Sequence, residues 1–263
     1  SSVPYSSAAV SKPTFIDIED ASWMWGILIT DKDRVSTTGI CNFPSHMGSL
    51  NYGYASVGGW RRISPKLYNQ IPESDVRKGW FLDDTGVSVN LPAAAQAYIT
   101  KKGAPVYTQV KYGPMNDEWG SNNNATDVIL MRVEEMYLIK AEAQAMNNDV
   151  SGGVNTLNSF VNTYRDPSYK CTATTGEAVQ EAVWHQRRIE FWGEGLAYFD
   201  IMRLNKGVNR LGCGFPKTAV FNIAAGDPVQ IYSIPNKEVQ YNPLLENNPL
   251  VSCLLYTSDA ADE

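Results

Sequence analysis

Two consecutive helical stripes in the middle of this 263-residue chain constrain its fold more than any other feature. Across residues 128–147, apolar side chains fall at Ile129, Val133, Met136, Ile139 and Ala143, a spacing of three and four that returns to one helix face each turn. Beside it runs a second row, Tyr137, Ala141 and Ala145, whose small members leave room for another helix to approach closely. Asp127 stands where a carboxylate can accept from the first free amides, so it is read as the N-cap. After the turn at 147–153, residues 154–164 repeat the pattern with Val154, Leu157, Phe160 or Val161, and Tyr164, closed by Asp166 and Pro167. Thr174-x-x-Glu177 has the form of a reciprocal capping box and opens a third helix running to about Trp192. Gly193 and Gly195 interrupt it before a short helix over 196–204. Helix–turn–helix units of this size, with small residues at the crossing, resemble tetratricopeptide repeats. The expected fold is therefore mainly α, with tetratricopeptide-like helical pairs, long loops and a few short strands.

The flanks differ in texture. Residues 1–126 are rich in Gly, Ser, Asn, Pro and aromatics. Within them, 22–30 (SWMWGILIT) has the aromatic and β-branched content of a buried strand, and 109–112 is a second short extended piece. Residues 33–59 are dense in turn formers and read as a long surface loop, the kind that carries function or is disordered. Its Phe43, Tyr52 and Tyr54 argue against plain disorder. Residues 205–252 form a loop-rich closing segment in which 229–234 (VQIYSI) alternates like a strand. Residues 253–263 (CLLYTSDAADE) read as the translation of a transposase adapter from a sequencing library, and are expected to lie outside the native fold.

Composition narrows the function classes. A net charge of −6 gives no basic footprint for nucleic acid or an anionic membrane surface. Without the tail, the cysteines are Cys41, Cys171 and Cys213, too widely spaced for a zinc motif or a disulfide framework. The histidines are His46 and His185, and neither has a second ligand at a metal-binding spacing, so no metal and no cofactor is expected.

Four stretches carry a family resemblance. Residues 130–144 (LMRVEEMYLIKAEAQ) are similar to the RxxEMYLIxAEA segment of SusD/RagB proteins, and 185–203 (HQRRIEFWGEGLAYFDIMR) to that family's ERRxEL…EGxRxxDLxR segment. Residues 232–249 (YSIPNKEVQYNPLLENNP) resemble its closing PIPxxEIxxNPxxxQNP, and 67–81, with Ile71, Asp75 and Arg77, the stretch that precedes these. Gln186 and Ala197 depart from the pattern, standing where an acid and a base are common. The resemblance implies that residues 1–252 are the C-terminal portion of a SusD-like domain, a lipoprotein anchored at the outer membrane through an upstream cysteine. It implies a SusC-like TonB-dependent transporter as partner, and a glycan, or in some members a peptide, as ligand. No bond breaking is expected. A helix that packs on upstream repeats would expose an apolar face here, expected on 128–147 or 154–164.

Two sets of residues compete for the chemistry. Glu190 and Glu194 lie one helical turn apart with Asp200 near, and paired carboxylates can hydrolyse glycosides. Arg187, Arg188 and Arg203 are interspersed, so a partly buried ion-pair network, with Arg187 and Glu190 at i,i+3, is the favoured reading over a hydrolase. Sugar capture instead needs exposed rings for C–H stacking and planar amides or guanidiniums for hydroxyls. Trp60, after Gly58-Gly59, is the first candidate, followed by Tyr52 and Tyr54, with His46, Asn51, Arg61 and Trp119 around them. The competing role for each ring is to pin a long loop to the core. Trp23, Trp25, Trp80, Trp184 and Trp192 fall in strand or helix patterns and are assigned to the core.

Overall fold

Gly, Pro and Asn break the first half of the chain into short elements, each started by a local device. The computed structural model describes residues 2–37 and 42–248; Cys41 and the 253–263 tail lie outside them. The Ser6 hydroxyl accepts from Ala9 N–H to start α1 (Ser7–Val10), and the strand β1 (Trp23–Ile27) follows. The Asn42 side chain accepts from Ser45 N–H to start α2 (Phe43–Met47). Proline opens α3 (Pro65–Tyr68), where a missing N–H costs nothing, and α4 (Ala93–Lys101) is the first helix of more than two turns.

The helical centre begins later than the periodicity predicts. Val128–Arg132 is a strand, β2, and the helix α5 starts only at Val133 (Val133–Met146). Strand wins because β1 lies antiparallel beside it, Trp23 opposite Arg132 and Ile27 opposite Val128. Asp127 therefore caps no helix: its carboxylate accepts from Ile18 and Ile29 N–H, each at 2.8 Å. Helix α6 (Val150–Tyr164) starts four residues earlier than predicted, because Asp149 accepts from Gly152 N–H at 2.9 Å. Thr175, not Thr174, caps α7 (Gly176–Glu190) by accepting from Ala178 N–H.

The small-residue row does what its spacing suggested. A Cβ placed on Gly153 of α6 would sit 2.7 Å from Ala141 O and 2.9 Å from Ala145 Cβ, so only glycine fits this crossing. Leu138, Leu157, Phe160, Val179 and Val183 fill the space between α5, α6 and α7. Two further clusters complete the core of Ser1–Leu196, one around Phe15, Trp80 and Ile189 and one around Leu50, Leu82 and Ile99.

The remaining unit begins at Ala197. It holds α8 (Ala197–Arg203), a two-stranded antiparallel ladder of β3 (Val208–Asn209) and β4 (Asn222–Ile223), and α9 (Asn236–Tyr241). No strand forms at 229–234. Asp227 accepts from Val229 N–H and starts a 3-10 turn over Pro228–Gln230 instead. Among the described residues the fold is thus mainly α with short strands, as expected.

The exposed apolar face is only partly where the periodicity put it. On α5, Ile139 (45% exposed) and Met146 (50%) are uncovered, but α6 shows no large exposed hydrophobe. The broader face belongs to the β1–β2 pair. Trp23 and Ile129 point inward, while Met24, Trp25, Ile27, Leu28 and Leu130 are exposed. Trp25, at 66% exposure, is not a core residue, and β1 is not a buried strand. A two-stranded sheet has one face on the core, and nothing among the described residues covers the other.

Candidate functional site

Burial decides what the paired carboxylates do. Glu190 ends α7 with no exposed side-chain surface. Its carboxylate accepts from Arg132 Nη1 at 2.6 Å, Arg165 Nε and Nη2 at 2.8 Å each, and Arg77 Nη1 at 3.1 Å. Glu194 accepts from Arg132 Nε at 2.9 Å and from the Lys111 ammonium, whose other protons go to the carbonyls of Glu190 and Trp192. Arg77 also binds Asp75 at 2.6 Å, and Glu134 meets both Arg132 and Arg165. Four buried acids thus face four buried bases, which satisfies the condition for keeping ions inside a fold. Gln186, the departure from the family pattern, stays in this network as a neutral acceptor for Arg77 Nη2 at 2.6 Å. Arg187 turns to Glu135 at 3.0 Å, so the i,i+3 pair with Glu190 does not form. The Glu190 side chain has no exposed surface and that of Glu194 only 6%, so both are held inside the network.

The electrostatics follow from the same contacts. Burial would raise the Glu190 pKa, but Arg165, Arg132 and Arg77 hold it well below the ordinary value of 4.5. Glu194 is likewise held down, against burial, by Arg132 and Lys111. Burial pushes Lys111 down to about 8, against the pull of Glu194. Its ammonium lies 4.6 Å from the Phe15 ring centroid and 4.7 Å from that of Trp80. A carboxylate with a depressed folded pKa stabilises fully above its unfolded value, and that stability is lost as pH falls through the folded value. The thermal midpoint should therefore fall progressively below about pH 4.5. A midpoint unchanged down to about pH 3 would mean that these glutamates are not held ionised.

The seven candidate ligand residues separate into three groups. His46, Tyr54 and Arg61 come together: the His46 and Tyr54 rings are 4.9 Å apart, Arg61 Nη2 lies 3.3 Å from His46 Nδ1, and Arg61 Cζ is 5.5 Å from the Tyr54 centroid. Arg61 Nη1 also donates to Gly59 O at 2.8 Å, which clamps the guanidinium. Gly59 is needed there, since a Cβ would sit 2.4 Å from the Tyr54 ring. Tyr52 is 48% exposed, its N–H bonded to Ser121 O at 2.8 Å and Lys102 facing its ring. Trp60 and Trp119 pack against the cluster of Leu50, Leu82 and Ile99, and Asn51 is 4% exposed and bonded to Asn124. These last three serve the loops first. Gly120 N–H to Leu50 O, at 2.8 Å, joins the two aromatic loops, a pairing no local spacing announced.

Sequence reasoning missed a cleft of about 590 Å³ beside Tyr68, Phe81 and Tyr107. Its polar groups come from separate turns, at Glu73, Asp83–Asp84 and Asn90, so only their interleaving with aromatics over 67–90 could have signalled it. Among the described residues, no cluster of three or more His, Cys, Asp or Glu is placed to hold a metal, and no helix is long and apolar enough to cross a membrane.

The model of the SusD family matches residues 72–250. Among solved structures, the chain is similar to a SusD superfamily protein from Bacteroides thetaiotaomicron, with 22% identity, TM-score 0.70, and 95% of this chain and 53% of that one covered. It is also similar to a SusD-like carbohydrate binding protein from Bacteroides vulgatus, with 24% identity, TM-score 0.58, and 79% and 39% covered. A SusD homolog from Bacteroides thetaiotaomicron gives 19% identity, TM-score 0.57, and 87% and 47%. These likenesses show the fold, and the chain spans about half, or less, of each solved relative. No curated protein matches the sequence.

Proposed function

This chain belongs to the SusD family, and we propose that it captures carbohydrate at the bacterial cell surface for uptake, without cleaving it. In this reading it is lipid-anchored at the outer membrane and delivers its ligand to a SusC-like TonB-dependent transporter. A solved relative is a SusD-like carbohydrate binding protein, which supports the ligand class. The observation that carries the reading is the exposed Tyr54 ring beside His46 and the clamped Arg61, with Tyr52 exposed two residues before it in the chain. Ring faces stack on sugar C–H groups, and a guanidinium donates to hydroxyls in a fixed fork. Because Gly59 O and His46 already hold Arg61, little side-chain freedom is lost on binding.

One observation favours peptide capture as a second reading. The β1–β2 pair has an exposed apolar face, a surface on which the apolar side chains of a peptide can be buried. The discriminating experiment titrates the chain with a panel of soluble polysaccharides and unstructured peptides, with Tyr54→Ala beside the wild type. Trp60 is a poorer probe, because it packs against the core cluster of Leu50, Leu82 and Ile99. The expected result is glycan binding that Tyr54→Ala weakens by about tenfold. Binding of peptides alone would transfer the assignment to the second reading. Release of reducing sugar from any polysaccharide would overturn the reading of the chain as a binding protein.

A further inference from the structure

The cleft at Tyr68 is distinct from the Tyr52–Tyr54 surface and has a different chemistry. Tyr68 ends α3 and is only 8% exposed, yet among the described residues its hydroxyl has no hydrogen-bond partner, although the residue lines the cleft. Asn90, at 7% exposure, gives its Nδ2 to Val10 O, and among the described residues no donor reaches its Oδ1. Tyr107 stands 5.1 Å from Tyr68, ring centroid to centroid, and Phe81 meets Tyr68 edge-on at 6.5 Å. The wall is therefore aromatic, with polar groups that open onto the cleft.

Charge sets the sign of that ligand. Asp75 is neutralised by Arg77, and Glu73 by Lys78. Among the described residues, Asp83 and Asp84 have no cationic partner. The Asp83 Oδ1 is taken up by Thr85 and by Val87 N–H, no donor among the described residues reaches its Oδ2, and Asp84 is exposed. Burial would raise Asp83, yet the donors from Thr85 and Val87 outweigh it and keep the group ionised. Burial raises Tyr68 to about 12, with Asp83, Glu73 and Asp84 adding to the shift, so these acids all act on one hydroxyl that stays protonated. The protein itself supplies a template for a cation at this ring. Lys78 sets its ammonium 5.1 Å from the Tyr68 centroid while bonded to Glu73.

From the unpartnered Tyr68 and Asn90 groups, the unpaired Asp83 and Asp84 and the aromatic wall, the geometry points to a subsite for an amino sugar, a ring whose protonated amine sits among hydroxyls. The ammonium pairs with Asp83 Oδ2 and Asp84, the hydroxyls take the Tyr68 and Asn90 groups, and the sugar face lies against the tyrosines. A cleft of about 590 Å³ is of the size that holds a small organic ligand. Acidic sugars are repelled by the same pair. This inference rests on the carbohydrate reading above and names a substrate class within it.

The test is calorimetric titration of the full chain with the disaccharide of glucosamine at about pH 6, where its amines are charged. Its N-acetylated form and spermidine are run in parallel, against wild type and Asp83→Asn/Asp84→Asn. Asparagine keeps the Oδ1 acceptor of the turn, and an unchanged thermal midpoint confirms that the variant folds. The expected result is that the glucosamine disaccharide binds at least about tenfold more tightly than its N-acetylated form, loses that advantage in the variant, and weakens with added salt. Equal binding of the two sugars, or binding unaffected in the variant, overturns the inference. So does spermidine binding as tightly as the disaccharide, because the site would then read the amine alone. If neutral glycans bind but the glucosamine disaccharide does not, this inference fails and the proposed function stands. If no sugar of either kind binds, the proposed function fails with it.

Discussion

Glu190→Ala should lower the unfolding free energy by about 3–5 kcal/mol, read as a fall in the denaturation midpoint at unchanged slope. The size comes from what is left behind. Arg77, Arg132 and Arg165 all direct N–H groups at this one carboxylate, and none has exposed surface through which water could replace it. Removing the acid leaves a net buried positive charge, and desolvation then opposes folding without compensation. Glu190→Gln keeps the shape but not the charge, and belongs in the same class. The contrast is Glu73→Gln. That residue pairs with Lys78 through a side chain that is 88% exposed, and its loss should change stability by less than about 1 kcal/mol. A Glu190→Ala effect as small as that of Glu73→Gln would show that the network is not sealed from water. Whole domains are stable by only about 5–15 kcal/mol, so one glutamate here decides whether the fold persists under mild stress.

Trp80→Ala should cost a similar amount, about 3–5 kcal/mol, and for a different reason. Trp80 has no exposed surface, meets Phe15 edge-on at 5.5 Å, and donates its indole N–H to Val10 O at 2.8 Å. The same ring stands 4.7 Å from the Lys111 ammonium. Truncation leaves a cavity, weakens the hold on the segment that carries Val10, and removes one ring from beside a buried cation. Trp25→Ala is the matched control. Its ring is 66% exposed on β1, and the change should stay within about 0.5 kcal/mol. Equal effects at the two positions would mean that the apolar face of β1 is covered in solution.

These two tryptophans show where sequence reading stops. Both stand in patterns that signal a core element, and the spacing around them cannot tell an inward face from an outward one. For Trp25 that depends on which side of the β1–β2 pair faces the core, which is settled by a pairing more than a hundred residues apart along the chain, and for Trp80 on its meeting with Phe15 and Val10. The same limit explains 128–132. Helical periodicity is present there, but a partner strand at 23–27 offers a ladder that the helix cannot match. The candidate site was legible to the same degree. Tyr52, Tyr54, His46 and Arg61 stand out by residue type as candidates within residues 41–62, whereas the packing of Trp60 and Trp119 on the cluster of Leu50, Leu82 and Ile99 is not visible in their spacing.

What the sequence by itself determined is what local physics controls: helices through most of 133–190, the small residues at the α5–α6 crossing, and the motif order that resembles one family. A helix repeats every few residues, so its signature fits within a short window. Only the tertiary structure decided that Glu190 and Glu194 are structural. Their counter-charges, Arg77, Lys111, Arg132 and Arg165, come from four separate segments. An ion pair leaves no periodic trace in the chain, and its strength depends on burial, which exists only after the segments have met.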